Sequence, residues 1–153
     1  MTRINGSILI RRPVEEVFDF VADERNEPSY NPQMRSVEKT TPGPIGVGTL
    51  WHVVTTSGKR ATPFELEVTG YTWPSRLGSM ARMSTADISG ALTFATDPDG
   101  TVMSWSWDLR PKGMLKLVSP LFAAVGRRQE QRIWSSLKAH LEADNEPSHL
   151  GET

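Results

Sequence analysis

The sequence predicts an α+β fold: an antiparallel sheet of about seven strands covered on one side by one long carboxyl-terminal helix, with two short helices between strands 1 and 2. Three observations carry this. Between residues 34 and 109, apolar side chains recur with period two in runs separated by Gly, Pro, Asp and Ser, the mark of strands with short connections. Helical patterning is confined to residues 13–30 and 114–144. Each strand has a single apolar face, so the sheet is covered on one side, and only the carboxyl-terminal helix is long enough to cover it.

Taken in order, Ile4, Gly6, Ile8 and Ile10 alternate with Asn5, Ser7 and Leu9 in a first strand, which ends at Arg11-Arg12-Pro13. Pro13 opens a short amphipathic helix over 13–22. Val14, Val17, Phe18 and Val21 share one face, and Glu15, Glu16 and Asp19 face water with the acidic residues near the positive helix end. Residues 23–30 form a second short helix or turn, broken by Pro28 and Asn31-Pro32. The corner so formed lacks the basic residues that DNA binding needs. Val37 stands between charged residues in a strand beginning at Met34, and Pro42-Gly43-Pro44 with Gly46-Val47-Gly48 mark a loop before a strand over 49–56.

After the Ser57-Gly58 turn, Phe64, Leu66 and Val68 alternate with Glu65, Glu67 and Thr69 in the clearest half-buried strand, ended by Trp73-Pro74. The next strand, 76–84, has two registers: Leu77, Ala81 and Met83 inward, or Gly78, Met80 and Arg82 inward. The pattern leaves both open. Ile88, Gly90, Leu92 and Phe94 make another alternating run, closed by the turn Asp97-Pro98-Asp99-Gly100. Met103, Trp105, Trp107 and Leu109 then point inward against Ser104, Ser106 and Asp108.

A weak helical turn over 114–118 leads into the long helix, where Ser119-Pro120 supplies a capping hydroxyl and a proline at the first helical position. Leu121, Val125, Gln129, Ile133, Leu137 and Leu141 recur every fourth residue, predicting one ridge against the sheet. Gln129 is polar inside that ridge, and Gly126 beside it costs about 1 kcal/mol relative to alanine. Together they suggest a cavity at mid-helix. Residues 145–153 are polar and are expected to form a disordered tail, so the domain is expected to span 1–144.

The 153 residues suit one domain with a sizeable core. A net charge of −1 offers no field for a phosphate backbone, which argues against nucleic acid. No apolar run is long enough to span a bilayer, and the amino terminus has no signal-peptide h-region, so a cytoplasmic protein is expected. The absence of cysteine removes disulfides, thiolate catalysis and soft metal sites. His52, His140 and His149 match no zinc spacing. Neither a metal nor a cofactor is expected, and the oligomeric state stays open, a homo-oligomer being compatible with the sequence.

Several segments taken together resemble the START-like helix-grip superfamily (SRPBCC), in its polyketide cyclase/dehydrase and lipid transport branch. They are the run from Ile10 to Phe20, Tyr30-Asn31-Pro32, Gly46-Val47-Gly48-Thr49, the run from Glu67 to Pro74, Asp99-Gly100-Thr101, and the run from Leu137 to Glu142. The likeness covers nearly the whole chain and rests on the order and spacing of turn and packing residues. It implies a helix-grip fold, a curved antiparallel sheet wrapped around the long carboxyl-terminal helix with an apolar ligand cavity between them. It implies no single reaction, since most members bind ligands and some are cyclases, aromatases or dehydratases. Trp73 departs from the family pattern, and no catalytic set transfers by position.

The candidate ligand-binding residues follow from alternation and from the ridge: Trp51, Phe64, Leu66, Phe94, Met103, Trp105 and Trp107 on the sheet, and Leu121, Val125, Gly126 and Gln129 on the helix. Each tryptophan alone serves equally well as ordinary core. Gln129 is the best polar candidate, against a helix-to-strand hydrogen bond. The resemblance places Tyr30 and Asn31 at the cavity mouth, where stopping a helix is an equal role. Arg82 meets an anionic ligand only if its register turns it inward, and a solvated arginine is the simpler reading. His52 follows inward Trp51 and so faces out. His140 suits the negative helix end, and 127–132 reads as a wet helix face. Binding or transport of a small apolar molecule (a lipid, polyketide or isoprenoid) is therefore expected. A cyclase or dehydratase is the alternative, weakened by the lack of a visible inward histidine or acidic pair, and an interaction module with a vestigial cavity is the third reading.

Overall fold

Period-two patterning becomes a seven-stranded antiparallel sheet in the computed structural model, which describes residues 2–113 and 119–143, apart from the side chains of Ser119 and Phe122. The elements are β1 (Thr2–Ile10), α1 (Val14–Ala22), a 3-10 helix (Glu24–Ser29), β2 (Met34–Lys39), β3 (Leu50–Ser57), β4 (Arg60–Thr72), β5 (Arg76–Arg82), β6 (Ala86–Asp97), β7 (Gly100–Pro111) and α2 (Ser119–Ala143). Strand order is β1-β7-β6-β5-β4-β3-β2, so the chain's first strand closes onto its last and every other pairing joins sequence neighbours. The turn expected over 114–118, the boundary at 144 and the tail over 145–153 lie outside the described residues.

Local chemistry fixes the corner between β1 and β2. Pro13 sits just before α1, and its carbonyl accepts from Val17 N at 3.0 Å. The α1 face made of Val14, Val17, Phe18 and Val21 is buried, as the amphipathic pattern requires. Asp23 caps the 3-10 helix by accepting from Arg25 N at 3.1 Å, and Asn31 Oδ1 accepts from Gln33 N at 3.2 Å where the chain turns into β2.

The open register of β5 resolves with Leu77 and Ala81 buried. Arg82 points outward, 3.0 Å from Glu67 and 3.6 Å from Glu65, both carboxylates on the wet face of β4. On β7, Met103, Trp105, Trp107 and Leu109 are all buried. Gly6 lies opposite Trp105 in the β1–β7 register, and a Cβ on Gly6 would fall 2.5 Å from the indole Cζ2. The indole thus covers a glycine that alternation had placed on the inner face.

Helix α2 corrects the expected ridge. Leu121 and Val125 are 67% and 57% exposed, and Gln129 is exposed with its side-chain amide donating to Gln33. A row of every fourth residue drifts about 40° around the axis at each step, because the helix repeats every 3.6 residues. Leu121 and Leu141 therefore end up on opposite sides. The residues that do follow the true repeat, Ala123, Trp134, Leu137 and Leu141, are buried, and half-buried Glu130 lies on the same face. Gly126 is a point of close approach: a Cβ there would lie 2.8 Å from Ile4 Cδ1 on β1. Farther along, Lys138 Nζ donates to Leu9 O at 2.8 Å, and Glu142 accepts from Arg11 N at 3.1 Å, tying the helix end to the end of β1.

Candidate functional site

Between α2, the 3-10 corner and the inner faces of β4 to β7 lies a cavity of about 150 Å3. Its sheet wall is built by alternation: Phe64, Leu66 and Val68 from β4, Leu77, Ser79 and Ala81 from β5, Ile88 and Leu92 from β6, and Trp107 from β7. The opposite side is Val21 and Ala22 of α1, Tyr30, and Trp134 of α2. Apolar walls of this kind are ordinary for a ligand pocket. The polar complement is less ordinary, because Glu24 and Glu27 from the 3-10 helix and Glu130 from α2 line the same cavity.

Glu130 is held by two indoles. Its Oε2 accepts from Trp134 Nε1 at 2.6 Å, one helical turn away, and from Trp107 Nε1 at 3.1 Å on β7. Burial raises its pKa against the lowering effect of those two donors. Burial also pushes the Glu24 carboxyl up to about 8, with the charge of Asp23 adding to it. Glu27 stands well above the usual carboxylate range, first by burial and then by the nearness of Glu24 and Glu130. The Tyr30 phenol is raised by burial and by the same three carboxylates. Among the described residues neither Glu24 nor Glu27 has an ion-pair partner, unlike Asp23, which pairs with Arg25 at 2.8 Å. All three carboxyls of this otherwise apolar cavity therefore hold their protons more tightly than a surface carboxylate does.

Of the residues expected from the sequence, Tyr30, Phe64, Leu66 and Trp107 line this cavity. Trp51, Phe94, Met103 and Trp105 point inward but are packed into the core. Trp51 lies under the Arg25 guanidinium at 5.9 Å with its own Nε1 unpartnered, and Phe94 meets Phe18 edge-on at 5.1 Å. Asn31 is buried in its turn. Arg82, Gln129, Leu121, Val125 and Gly126 lie outside the cavity lining. His52 is exposed, and His140 stacks on Phe20 at 5.4 Å. Trp73 is exposed and donates from Nε1 to Asp19 at 2.8 Å. Among the described residues no group of three His, Cys, Asp or Glu is placed to hold a metal ion. No helix among them is long and apolar enough to cross a membrane.

The three carboxylates are what the sequence reading missed. Glu130 was hidden in the charged run 127–132, whose other members Arg127, Arg128, Gln129, Gln131 and Arg132 are indeed exposed. A strict 3.6 repeat from Leu141 back through Leu137 and Trp134 reaches Glu130 and would have found it. Glu24 and Glu27 sit in a polar segment with no periodicity to orient them.

Comparison with known proteins bears on this geometry. The family model described as polyketide cyclase/dehydrase and lipid transport matches residues 1–142. Among curated proteins no sequence relative matches. Solved structures share the fold at low identity. A Thermus thermophilus protein, TTHA0849, superposes with a TM-score of 0.79 at 14% identity over 94% of this chain and 99% of its own. A START superfamily protein from Mycobacterium smegmatis gives 0.77 at 13% identity, covering 92% of this chain and 97% of its own. The Zhui aromatase/cyclase of a Streptomyces species gives 0.73 at 12% identity, covering 92% and 93%.

Proposed function

Since the chain belongs to the polyketide cyclase/dehydrase and lipid transport family, we propose that it binds a small, mainly apolar molecule in the cavity between α2 and the sheet. Glu24, Glu27, Tyr30 and Glu130 meet the polar end of that molecule. The observation that carries this reading is the convergence of three carboxylates on one apolar-walled cavity. Half-buried carboxylates on apolar walls are costly without a partner, Glu24 and Glu27 have no ion pair among the described residues, and a ligand's polar group is the partner such a place suits. At about 150 Å3 the cavity is below the roughly 300–1,000 Å3 of drug-sized sites. It suits one or two rings or a short isoprenoid better than a long acyl chain.

The enzyme reading is favoured by one feature, the gathering of three carboxyls and a phenol in one apolar-walled cavity, groups able to move protons if a substrate reaches them. Both readings are tested by extracting the native protein and identifying co-purified small molecules by mass spectrometry. A panel of fatty acids, isoprenoids and aromatic polyketides is then titrated, following indole fluorescence and the unfolding midpoint. Trp107 and Trp134 line the cavity, so an occupant alters their emission and raises the midpoint by mass action. Saturable binding with unchanged ligand supports the binder, and recovered cyclised or dehydrated product supports the enzyme. No response across the panel overturns both.

A further inference from the structure

We propose that the cavity selects a small aromatic amine, bound as its ammonium ion among Glu24, Glu27 and Glu130 with the Tyr30 hydroxyl as a further partner. This rests on the ligand-binding reading and deepens it. The cavity lining holds three carboxylates and, among the described residues, no lysine, arginine or histidine. The cation on the same 3-10 helix, Arg25, is taken up by Asp23 through two hydrogen bonds at 2.8 and 2.9 Å. Tyr30 is only 4% exposed, lines the cavity, and its hydroxyl makes no hydrogen bond among the described residues. A phenol in the cavity wall with no protein partner for its hydroxyl, beside Glu24 and Glu27 with no ion pair among the described residues, points to a group the protein does not itself supply.

The chemistry of that group follows from the charges. A carboxylate or phosphate on the ligand would face three acidic groups with no cation in the lining to offset its charge, and an alcohol brings no positive charge to displace the protons the cluster holds. An ammonium has three donors and no acceptor, which matches a set of carboxylate acceptors. The indoles of Trp107 and Trp134 and the ring of Tyr30 supply faces on which a cation, or the aromatic body bearing it, is favourably placed. The raised carboxyl pKa values agree with this arrangement: without a cation the cluster holds extra protons, and an ammonium replaces them. The titratable groups facing the site are Glu24 and Glu27 of the 3-10 helix, Tyr30 at its end and Glu130 of α2. The walls from β4, β5, β6 and β7 contribute none.

The test is calorimetric titration of the full chain near pH 7.5 with 2-phenylethylamine, 2-phenylethanol and phenylacetate, which share a ring and differ in charge. The amine is expected to bind at least about tenfold tighter than the alcohol, and the acid not at all. Amine affinity is expected to fall as pH drops from about 8 to about 5, because protonated carboxyls no longer attract it. Glu27→Gln is expected to weaken the amine by at least about tenfold and to leave the alcohol within about twofold. Should that variant fail to fold, the three-ligand comparison on the unaltered protein decides alone. Equal or tighter binding of the alcohol or the acid overturns the amine assignment and leaves the ligand-binding reading standing. Silence with all three overturns the amine assignment, and the ligand-binding reading falls separately only if the wider panel is silent too.

Discussion

Trp134 Nε1 donates to Glu130 Oε2 at 2.6 Å, one turn along α2, and with Trp107 Nε1 at 3.1 Å it holds a carboxylate on the inner face of an otherwise wet stretch of helix. Removing the acceptor leaves two indole N–H groups without it. Each unpaired buried donor costs about 1–3 kcal/mol. Glu130→Leu is therefore expected to lose about 2–4 kcal/mol in urea unfolding, part of the deficit being offset by its apolar side chain. Glu130→Gln keeps an acceptor oxygen and is expected to stay within about 1 kcal/mol of the parent. Equal stability of the two variants would show that the indole bonds do not hold the site.

The pocket carboxyls also set a pH dependence. Glu24, Glu27 and Glu130 have pKa values raised above the ordinary 4.5, mainly by burial, so they bind protons more tightly folded than unfolded. Their contribution is complete below about pH 4.5 and is lost as pH rises, through about 8 for Glu24. Asp23 and Glu142, whose values are lowered, act in the opposite sense and lose their contribution as pH falls. The difference between parent and Glu24→Gln isolates one pocket group. The variant is expected to gain on the parent steadily between pH 4.5 and 8, as followed by urea midpoints. Parallel profiles would mean that Glu24 is solvated like any surface carboxylate.

Gly126 gives a third outcome, contrary to its helix propensity. Replacing glycine in an exposed helix interior gains up to about 1 kcal/mol. Here a Cβ would stand 2.8 Å from Ile4 Cδ1 and 3.7 Å from Leu109 Cδ2. Gly126→Leu is expected to destabilise by about 1–3 kcal/mol through overpacking. Gly126→Ala combined with Ile4→Val is expected to recover part of the loss, since the clash is with the end of a flexible side chain. A stabilised Gly126→Leu would place the residue in open space after all.

How far the sequence reaches is visible in α2 and the strands. Inward residues on β4 and β7 were legible, because a period of two admits only two registers and Phe64, Leu66, Trp105 and Trp107 choose one of them. On β5 the choice was not legible. Leu77, Gly78, Met80 and Ala81 supply small or apolar residues to both faces, and the register becomes visible only in the packed sheet, where Leu77 and Ala81 are buried and Arg82 stays in water beside Glu65 and Glu67. On α2 the every-fourth-residue ridge looked continuous, yet the helix turns away from it, so Leu121, Val125 and Gln129 went to the wrong side. The acidic end of the cavity depends on a 3-10 corner with no apolar period meeting a helix from the far end of the chain. No local pattern encodes that meeting.

The proposed site itself is tested by filling it from the sheet side. Ala81 lines the cavity on β5, between Leu66 of β4 and Ile88 of β6 in register, and its neighbour Arg82 points to solvent. Ala81→Leu adds three carbons to a space of about 150 Å3. Burying them gains up to about 2 kcal/mol, and any misfit costs about 1–3 kcal/mol, so stability is expected to stay within about 1 kcal/mol of the parent. Ligand affinity, in contrast, is expected to fall at least about tenfold, because the added side chain takes the volume the ligand needs. Arg82→Ala is the matched control one residue away. It removes only solvent-exposed ion pairs, worth less than about 1 kcal/mol, and is expected to leave both stability and binding nearly unchanged. Undiminished binding by Ala81→Leu would move the ligand out of this cavity, and loss of binding by Arg82→Ala would move it to the outer face of the sheet.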